Sequence, residues 1–281
     1  MKKNLVPVAL ILLAPLTAQA RCKLEQPPSM NLGTYTGSVS SAGSTNITVT
    51  CNGNSANYTI SLDAGTRIGA TTSTRKMTGP ASATLNYGLF RDAARAQNWG
   101  NNAGVDTASG SGSTSVSNFT IYPQIAAGQL VAPGTYRDTM TTASGAGSGS
   151  FTITTLVQPL CQITATNLAF GTYTGADLDA VSTLTVTCTK TTPYYVNLSD
   201  GQHPDGSFLP RAIGPGGVLL AYTMFRDAAR SSRWGNTYNL DGVAATGSGS
   251  AETLNVYGRV AGGQFVTPGA YTDTVIATIT Y

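Results

Sequence analysis

Apolar and polar residues alternate over short stretches of this chain, and the stretches come in pairs. Asn46-Ile47-Thr48-Val49-Thr50-Cys51 puts Ile47, Val49 and Cys51 on one face and polar groups on the other; Leu184-Thr185-Val186-Thr187-Cys188 does the same. A period of two over five or six residues predicts half-buried β-strands. Tyr58-Thr59-Ile60-Ser61-Leu62 and Tyr195-Val196-Asn197-Leu198 follow as further strands, leading into the turns Asp63-Ala64-Gly65 and Ser199-Asp200-Gly201. Pro133-Gly134 and Pro268-Gly269 predict turns ahead of strands that open with Tyr136 and Tyr271. Short strands bounded by turns at this spacing argue for a β-sandwich.

The pairing is a duplication. Leu85, Tyr87, Phe90, Arg91, Asp92, Ala93, Ala94, Arg95, Trp99 and Gly100 recur at a constant offset of 135 as Leu220, Tyr222, Phe225, Arg226, Asp227, Ala228, Ala229, Arg230, Trp234 and Gly235. The same offset carries Tyr122, Gly128, Gln129, Val131 and Asp138 onto Tyr257, Gly263, Gln264, Val266 and Asp273. Leu32-Gly33-Thr34-Tyr35-Thr36-Gly37 is echoed by Phe170-Gly171-Thr172-Tyr173-Thr174-Gly175. Two homologous all-β domains are therefore expected.

The copies differ at their ends. The second finishes on Val275-Ile276-Ala277-Thr278-Ile279-Thr280-Tyr281, with no further strand. The first passes through Ala143-Ser144-Gly145-Ala146-Gly147-Ser148-Gly149-Ser150, which reads as a flexible linker. Phe151, Ile153, Thr155 and Val157 then share one parity of another alternating strand. That strand reads either as a donor strand carried by the linker or as the last strand of the first domain. On both readings the second domain lacks an equivalent, and a strand from another subunit would cover its open edge. The expected boundaries are 1–20 for a leader, 21–142 for the first sandwich, 143–160 for linker plus strand, and 161–281 for the second sandwich.

Composition agrees with an exported β-protein. Lys2 and Lys3, the apolar run from Leu5 to Leu16 and Ala18-Gln19-Ala20 form the pattern of a secretory signal peptide. Only 10% of residues are charged, and Glu25 and Glu252 are the only glutamates, which is unlike helical surfaces. A net charge of +3 spread along the chain gives no nucleic-acid footprint. Cys22, Cys51, Cys161 and Cys188 are spaced short, long, short, and repetition of the short interval selects Cys22–Cys51 and Cys161–Cys188 as disulfides. Each would contribute about 3–4 kcal/mol in the chain-entropy account. Cysteines this far apart, with no C-x-x-C pair and a single histidine, argue against zinc.

Catalysis has little foundation. His203 is the only histidine and sits in a loop rich in Gly, Pro and Asp; no serine stands in a G-x-S-x-G elbow. No cofactor is expected. Trp99 and Trp234 occur in both copies, which favours a structural role over sugar binding. Arg91-Asp92 and Arg226-Asp227 read as ion pairs or turns, and Tyr136 and Tyr271 as corner or core tyrosines. Recognition is better sought where the copies diverge, in residues 66–77 and 202–209, with Ile68 and Met77 as candidates for an apolar recognition loop.

The C-x-L/I start, the G-T-Y-T-G segment, the L-x-Y-x-x-F-R-D-A-A-R…W-G block and the G-Q-x-V-x-P-G-x-Y-x-D-T ending resemble the spore coat protein U domain, which is also the subunit fold of archaic chaperone–usher pili. The resemblance implies tandem immunoglobulin-like, pilin-type sandwiches and a fibre subunit for attachment and biofilm formation. It implies a periplasmic chaperone, an outer-membrane usher and a neighbouring pilin that donates a strand to domain 2, with a host or abiotic surface as the final target. Val275, Ala277, Ile279 and Tyr281 would then form the strand that pairs with chaperone or neighbour. A mature start at Arg21, with no N-terminal extension to donate, suits a two-domain tip adhesin; a non-adhesive coat or shaft protein is the alternative.

Overall fold

The computed structural model describes residues 21–40, 43–52, 55–112, 115–204, 211–213 and 218–281. The signal-peptide reading of residues 1–20 lies outside them. Among the described residues the first domain contains β1 (Arg21–Leu24), β2 (Met30–Tyr35), β3 (Thr45–Asn52), β4 (Ser55–Leu62), β5 (Arg75–Thr78), β6 (Thr84–Phe90), β7 (Ala108–Gly112), β8 (Val116–Gln124), β9 (Gly134–Ser144) and β10 (Gly147–Val157). The second contains β11 (Cys161–Ala165), β12 (Leu178–Cys188), β13 (Pro193–Leu198), β14 (His203–Pro204), β15 (Arg211–Ile213), β16 (Leu220–Phe225), β17 (Val243–Thr246), β18 (Ala251–Val260) and β19 (Ala277–Thr280).

In domain 1 the strands run β1-β3-β8-β6 in one layer and β7-β4-β9-β10-β2 in the other. β5 pairs with both β6 and β9, so the two layers form one sheet curled upon itself. Inward positions of β3, β4, β6 and β8, among them Ile47, Val49, Ile60, Leu62, Leu85, Leu89 and Ile121, meet in a single core. The alternation that predicted β3 and β4 is the alternation that buries them. Trp99 lies in this core and donates its indole N–H to Ile60 O (3.0 Å); Trp234 does the same to Val196 O (2.9 Å). Both tryptophans are structural.

Domain 2 repeats one layer as β11-β12-β18-β16-β15-β14, but the other shrinks to β17-β13-β19. Both disulfides form, Cys22–Cys51 across β1 and β3 and Cys161–Cys188 across β11 and β12, each joining residues directly opposite in the ladder.

The stretch read as a flexible linker is instead a tight hairpin. β9 continues to Ser144, a two-residue turn follows, and β10 pairs antiparallel with β9 from Gly147↔Ser144 to Val157↔Gly134. Small residues are needed here for packing. A Cβ at Gly149 would come within 3.2 Å of Gln26, Pro27 and Leu24, whose segment crosses the start of β10. The composition of a linker thus served close approach.

Two smaller readings find their structural form. Asp92 accepts the N–H groups of Gln97 (2.7 Å) and Ala96 (3.1 Å), and Asp227 those of Ser231 (3.0 Å) and Ser232 (2.6 Å), so both aspartates cap turns. Arg91 and Arg226 donate to the carbonyls of Thr107 and Gly242. Tyr136 donates to Ala132 O (2.8 Å) and Tyr271 to Thr267 O (2.7 Å), four residues upstream in each case, as in a tyrosine corner.

Candidate functional site

β10 occupies a slot between β9 and β2, antiparallel to the first and parallel to the second. Phe151, Ile153, Thr155 and Val157 point inward and are buried, whereas Leu156 is exposed. Thr155 donates its hydroxyl to Gly33 O (2.9 Å), satisfying the one polar group on that inward face. The slot's walls are sealed by this insertion: Met30, Leu32 and Tyr35 of β2 and Tyr136 and Met140 of β9 are all buried. Burial pushes the Tyr136 phenol up to about 12 and raises that of Tyr35.

The corresponding slot of domain 2 is an open groove of about 1610 Å³. Its floor is as buried as that of domain 1: Leu220, Met224, Val256 and Val260 stand where Leu85, Leu89, Ile121 and Ile125 stand. The walls are different. Residues 166–175, the counterpart of β2, and 269–276, the counterpart of most of β9, take no strand pairing. Leu168, Phe170, Tyr173, Tyr271 and Val275 are only half-buried there.

The groove is nevertheless held in shape. Tyr173 donates to Ala261 O (3.1 Å) and accepts from Gln264 N–H (2.9 Å), as Tyr35 does with Ala126 (2.8 Å) and Gln129 (3.0 Å). Gly263 N–H reaches Gly175 O at 2.9 Å, matching Gly128 to Gly37. Tyr222 donates to Asp273 (2.8 Å), fixing the far wall to the sheet as Tyr87 does through Asp138 (2.8 Å). Gly171 keeps the positive φ of Gly33, 84° against 74°, although the ladder around it is missing. In β2 that glycine sits in a bulge, where the register with β10 slips by one residue.

Chemically the groove is apolar and lined by backbone. Asp273, the charged residue in its lining, already receives hydrogen bonds from Tyr222 and from the N–H of Gln202 (2.8 Å). An apolar floor between two backbone edges without ladder partners suits an extended strand with alternating apolar side chains. Its one carboxylate, Asp273, is engaged in holding the wall to the sheet. Among the described residues no cluster of His, Cys, Asp or Glu could hold a metal ion, and His203 lies exposed in β14.

The other candidate residues fall in separate places. Ala277 and Ile279 lie in β19, half-buried and paired through the backbone with β13, while Val275 precedes that strand as part of the groove wall. Tyr281 is exposed. The long final strand expected from the sequence is therefore only Ala277–Thr280, because the wall above it has no neighbour to pair with. Ile68 and Met77 do not form a common surface. Ile68 is 94% exposed, but Met77 lies in β5 at 0% exposure as part of the core. The loop carrying Ile68 is anchored by the buried Arg75, which donates to the carbonyls of Asp63, Thr72 and Trp99. The near wall, with Leu168, Phe170 and Tyr173, was missed as a site; its match to Met30, Leu32 and Tyr35 was the available signal.

A sequence model of the spore coat protein U domain matches the chain twice, over residues 8–143 and 148–278. Protein U of Myxococcus xanthus is 34% identical over 128 residues, spanning 41% of this chain and 71% of that protein. Among solved structures, the CsuC–CsuE chaperone–tip adhesion subunit pre-assembly complex from archaic chaperone–usher Csu pili of Acinetobacter baumannii contains a chain of the same fold. It aligns with a TM-score of 0.52 over 92% of this chain and 100% of its own, at 18% identity.

Proposed function

This chain belongs to the spore coat protein U domain family, and from that premise we propose that it is an exported two-domain subunit of an archaic chaperone–usher fibre, with domain 1 as the distal adhesive head and domain 2 as the base that receives a donor strand. One observation carries the reading: the slot that β10 fills in domain 1 is shaped, lined and empty in domain 2. β10 supplies the pattern of the missing strand, with apolar or small groups at the positions of Phe151, Ile153, Thr155 and Val157. Before assembly a periplasmic chaperone holds the groove, pairing with the segment that contains Val275, Ala277 and Ile279; an outer-membrane usher then exchanges it for a neighbouring pilin. The likeness in fold to a tip adhesion subunit supports the tip position. At the head, Ile68 remains available for contact with a host or abiotic surface.

The test is to purify the chain from the periplasm with and without its chaperone. A one-to-one complex that a synthetic peptide of residues 147–157 displaces is the expected result. A free monomer indifferent to chaperone and peptide would mean that domain 2 closes on itself, and the fibre reading would fall. The presence of the same domain twice favours a second reading, a structural coat or shaft protein. Immunogold labelling separates the two: one label at the fibre end supports the tip, and labels along its length support the shaft.

A further inference from the structure

The loop between β8 and β9 of domain 1 packs against domain 2, and domain 2 carries a second copy of that loop whose outward side chain is exposed. In domain 1 the loop between β8 and β9 includes Leu130, whose carbonyl accepts the N–H of Lys190 (3.0 Å) from the turn after β12. Gly249, in the turn before β18, is so close that a Cβ there would lie 2.9 Å from the same carbonyl. Leu130 is half-buried. Nearby, Leu160 of the short spacer after β10 covers Gly37: a Cβ on that glycine would meet its side chain at 2.8 Å.

The counterparts in domain 2 are Phe265 and Gly175. Phe265 is fully exposed, and nothing lies within 4 Å of a Cβ at Gly175. An aromatic ring held outward on a loop pinned by Gln264 to Ala221 and Ala261 is a costly surface to leave in water. Geometry limits what can cover it. β10 leaves its slot beside this loop, Val157 pairing with Gly134, and only Gln158, Pro159 and Leu160 separate it from β11. A strand lying in domain 2's groove in the same direction exits at Gly269, next to Phe265. The domain it belongs to then arrives at this face.

We propose that Phe265 and Gly175 form a docking surface for the body of the subunit that donates the strand: its turns pack on Phe265 as those around Lys190 and Gly249 pack on Leu130, and an apolar residue of its spacer covers Gly175. The inference rests on the donor-strand reading of the groove. It adds that the neighbour is held by a second, rigid contact, so that the fibre repeats the internal junction of this chain.

The experiment uses the full chain in two extended forms. One carries residues 147–157 appended after Tyr281, supplying the strand alone; the other carries residues 147–281, supplying the strand with its following domain. Phe265→Trp in the original copy is the reporter, since Trp99 and Trp234 are buried. Both extensions should raise the melting temperature of domain 2. Only the longer one should shift the reporter's indole emission to the blue and reduce its quenching by acrylamide several-fold. Equal quenching in both forms, with melting raised in both, overturns the docking surface and leaves the groove reading intact. If neither extension raises the melting temperature, the groove reading fails and the docking surface fails with it. Phe265→Asp in the longer form should keep the melting gain and enlarge the radius of gyration; an unchanged radius also counts against the contact.

Discussion

Domain 1 and domain 2 are the same sandwich at two stages of completion. Their floors are alike: Leu85 and Leu220, Leu89 and Met224, Ile121 and Val256 are buried to nearly the same degree. Their turns, tryptophans and tyrosine hydroxyls make the same bonds. Among the described residues, the difference that matters for packing lies along the slot that β10 enters. There Tyr35 and Tyr136 are sealed, whereas Tyr173 and Tyr271 are half-open, and β2 and the upper part of β9 become unpaired chain in domain 2. One strand therefore decides whether its two neighbours are strands at all, while loop geometry and disulfides stand without it.

Removing that strand from domain 1 should erase the difference. Ile153→Asp puts a charge at a position with 0% exposure; truncating a buried isoleucine alone costs about 2–5 kcal/mol, and an unpaired buried charge adds to this. Domain 1 should lose its separate melting transition in calorimetry; an unchanged transition would show that β10 is dispensable. The reverse experiment supplies the strand to domain 2. In the chain extended by residues 147–157, burial of the Phe, Ile and Val side chains is worth roughly 1.5–3 kcal/mol each. The second transition should rise toward the first, and residues 166–175 and 269–276 should gain hydrogen-exchange protection.

The disulfides sharpen the comparison at smaller scale. Replacing Cys161 and Cys188 by Ala releases a loop of 27 residues, and replacing Cys22 and Cys51 one of 29; each should cost about 3–4 kcal/mol. With so similar a loss, domain 2 should unfold first under reducing conditions because it starts with less packing. The smallest effect is a control in which the domains should agree. The N–H groups of Gln97 and Ala96 hold the Asp92 carboxyl below its usual range, and those of Ser231 and Ser232 do so for Asp227. A depressed carboxylate stabilises the fold above its unfolded pKa of about 3.9 and loses that contribution as pH falls through the lower folded value. Asp92→Asn and Asp227→Asn should each flatten the acid-side fall in melting temperature of its own domain, to a similar degree. A different response in the two domains would place one of the caps in the incomplete region.

Much of this was legible from residues. The period-two alternation gave β3, β4, β12 and β13, the constant offset gave the duplication, and the repeated short spacing of the cysteines gave the disulfides. The hairpin at residues 145–146 was hidden, because the glycines and serines that admit Leu24–Pro27 across β10 have the composition of a linker. Gly-Thr-Tyr-Thr-Gly occurs in both copies, yet only Met30–Tyr35 is a strand, since its pairing depends on a neighbour more than a hundred residues away. Alternation marked β10 as a strand but could not choose its two partners. Met77 looked like a loop residue because β5 is only four residues long and its burial comes from the curled sheet around it. Phe265 carried no signal, as exposure depends on what lies opposite a side chain and not on the side chain itself.

The two-sided ladder of β10 also has a mechanical consequence. The strand is flanked by β9 along its whole length and by β2 over its C-terminal half. A tensile load applied through domain 2 along this strand would reach both flanks at once. The hydrogen bonds on both flanks are then strained together in shear, instead of being peeled apart singly. Failure under force is set by the rate of crossing that shared barrier, so the strand that fills the slot of domain 1 also resists pulling along its length.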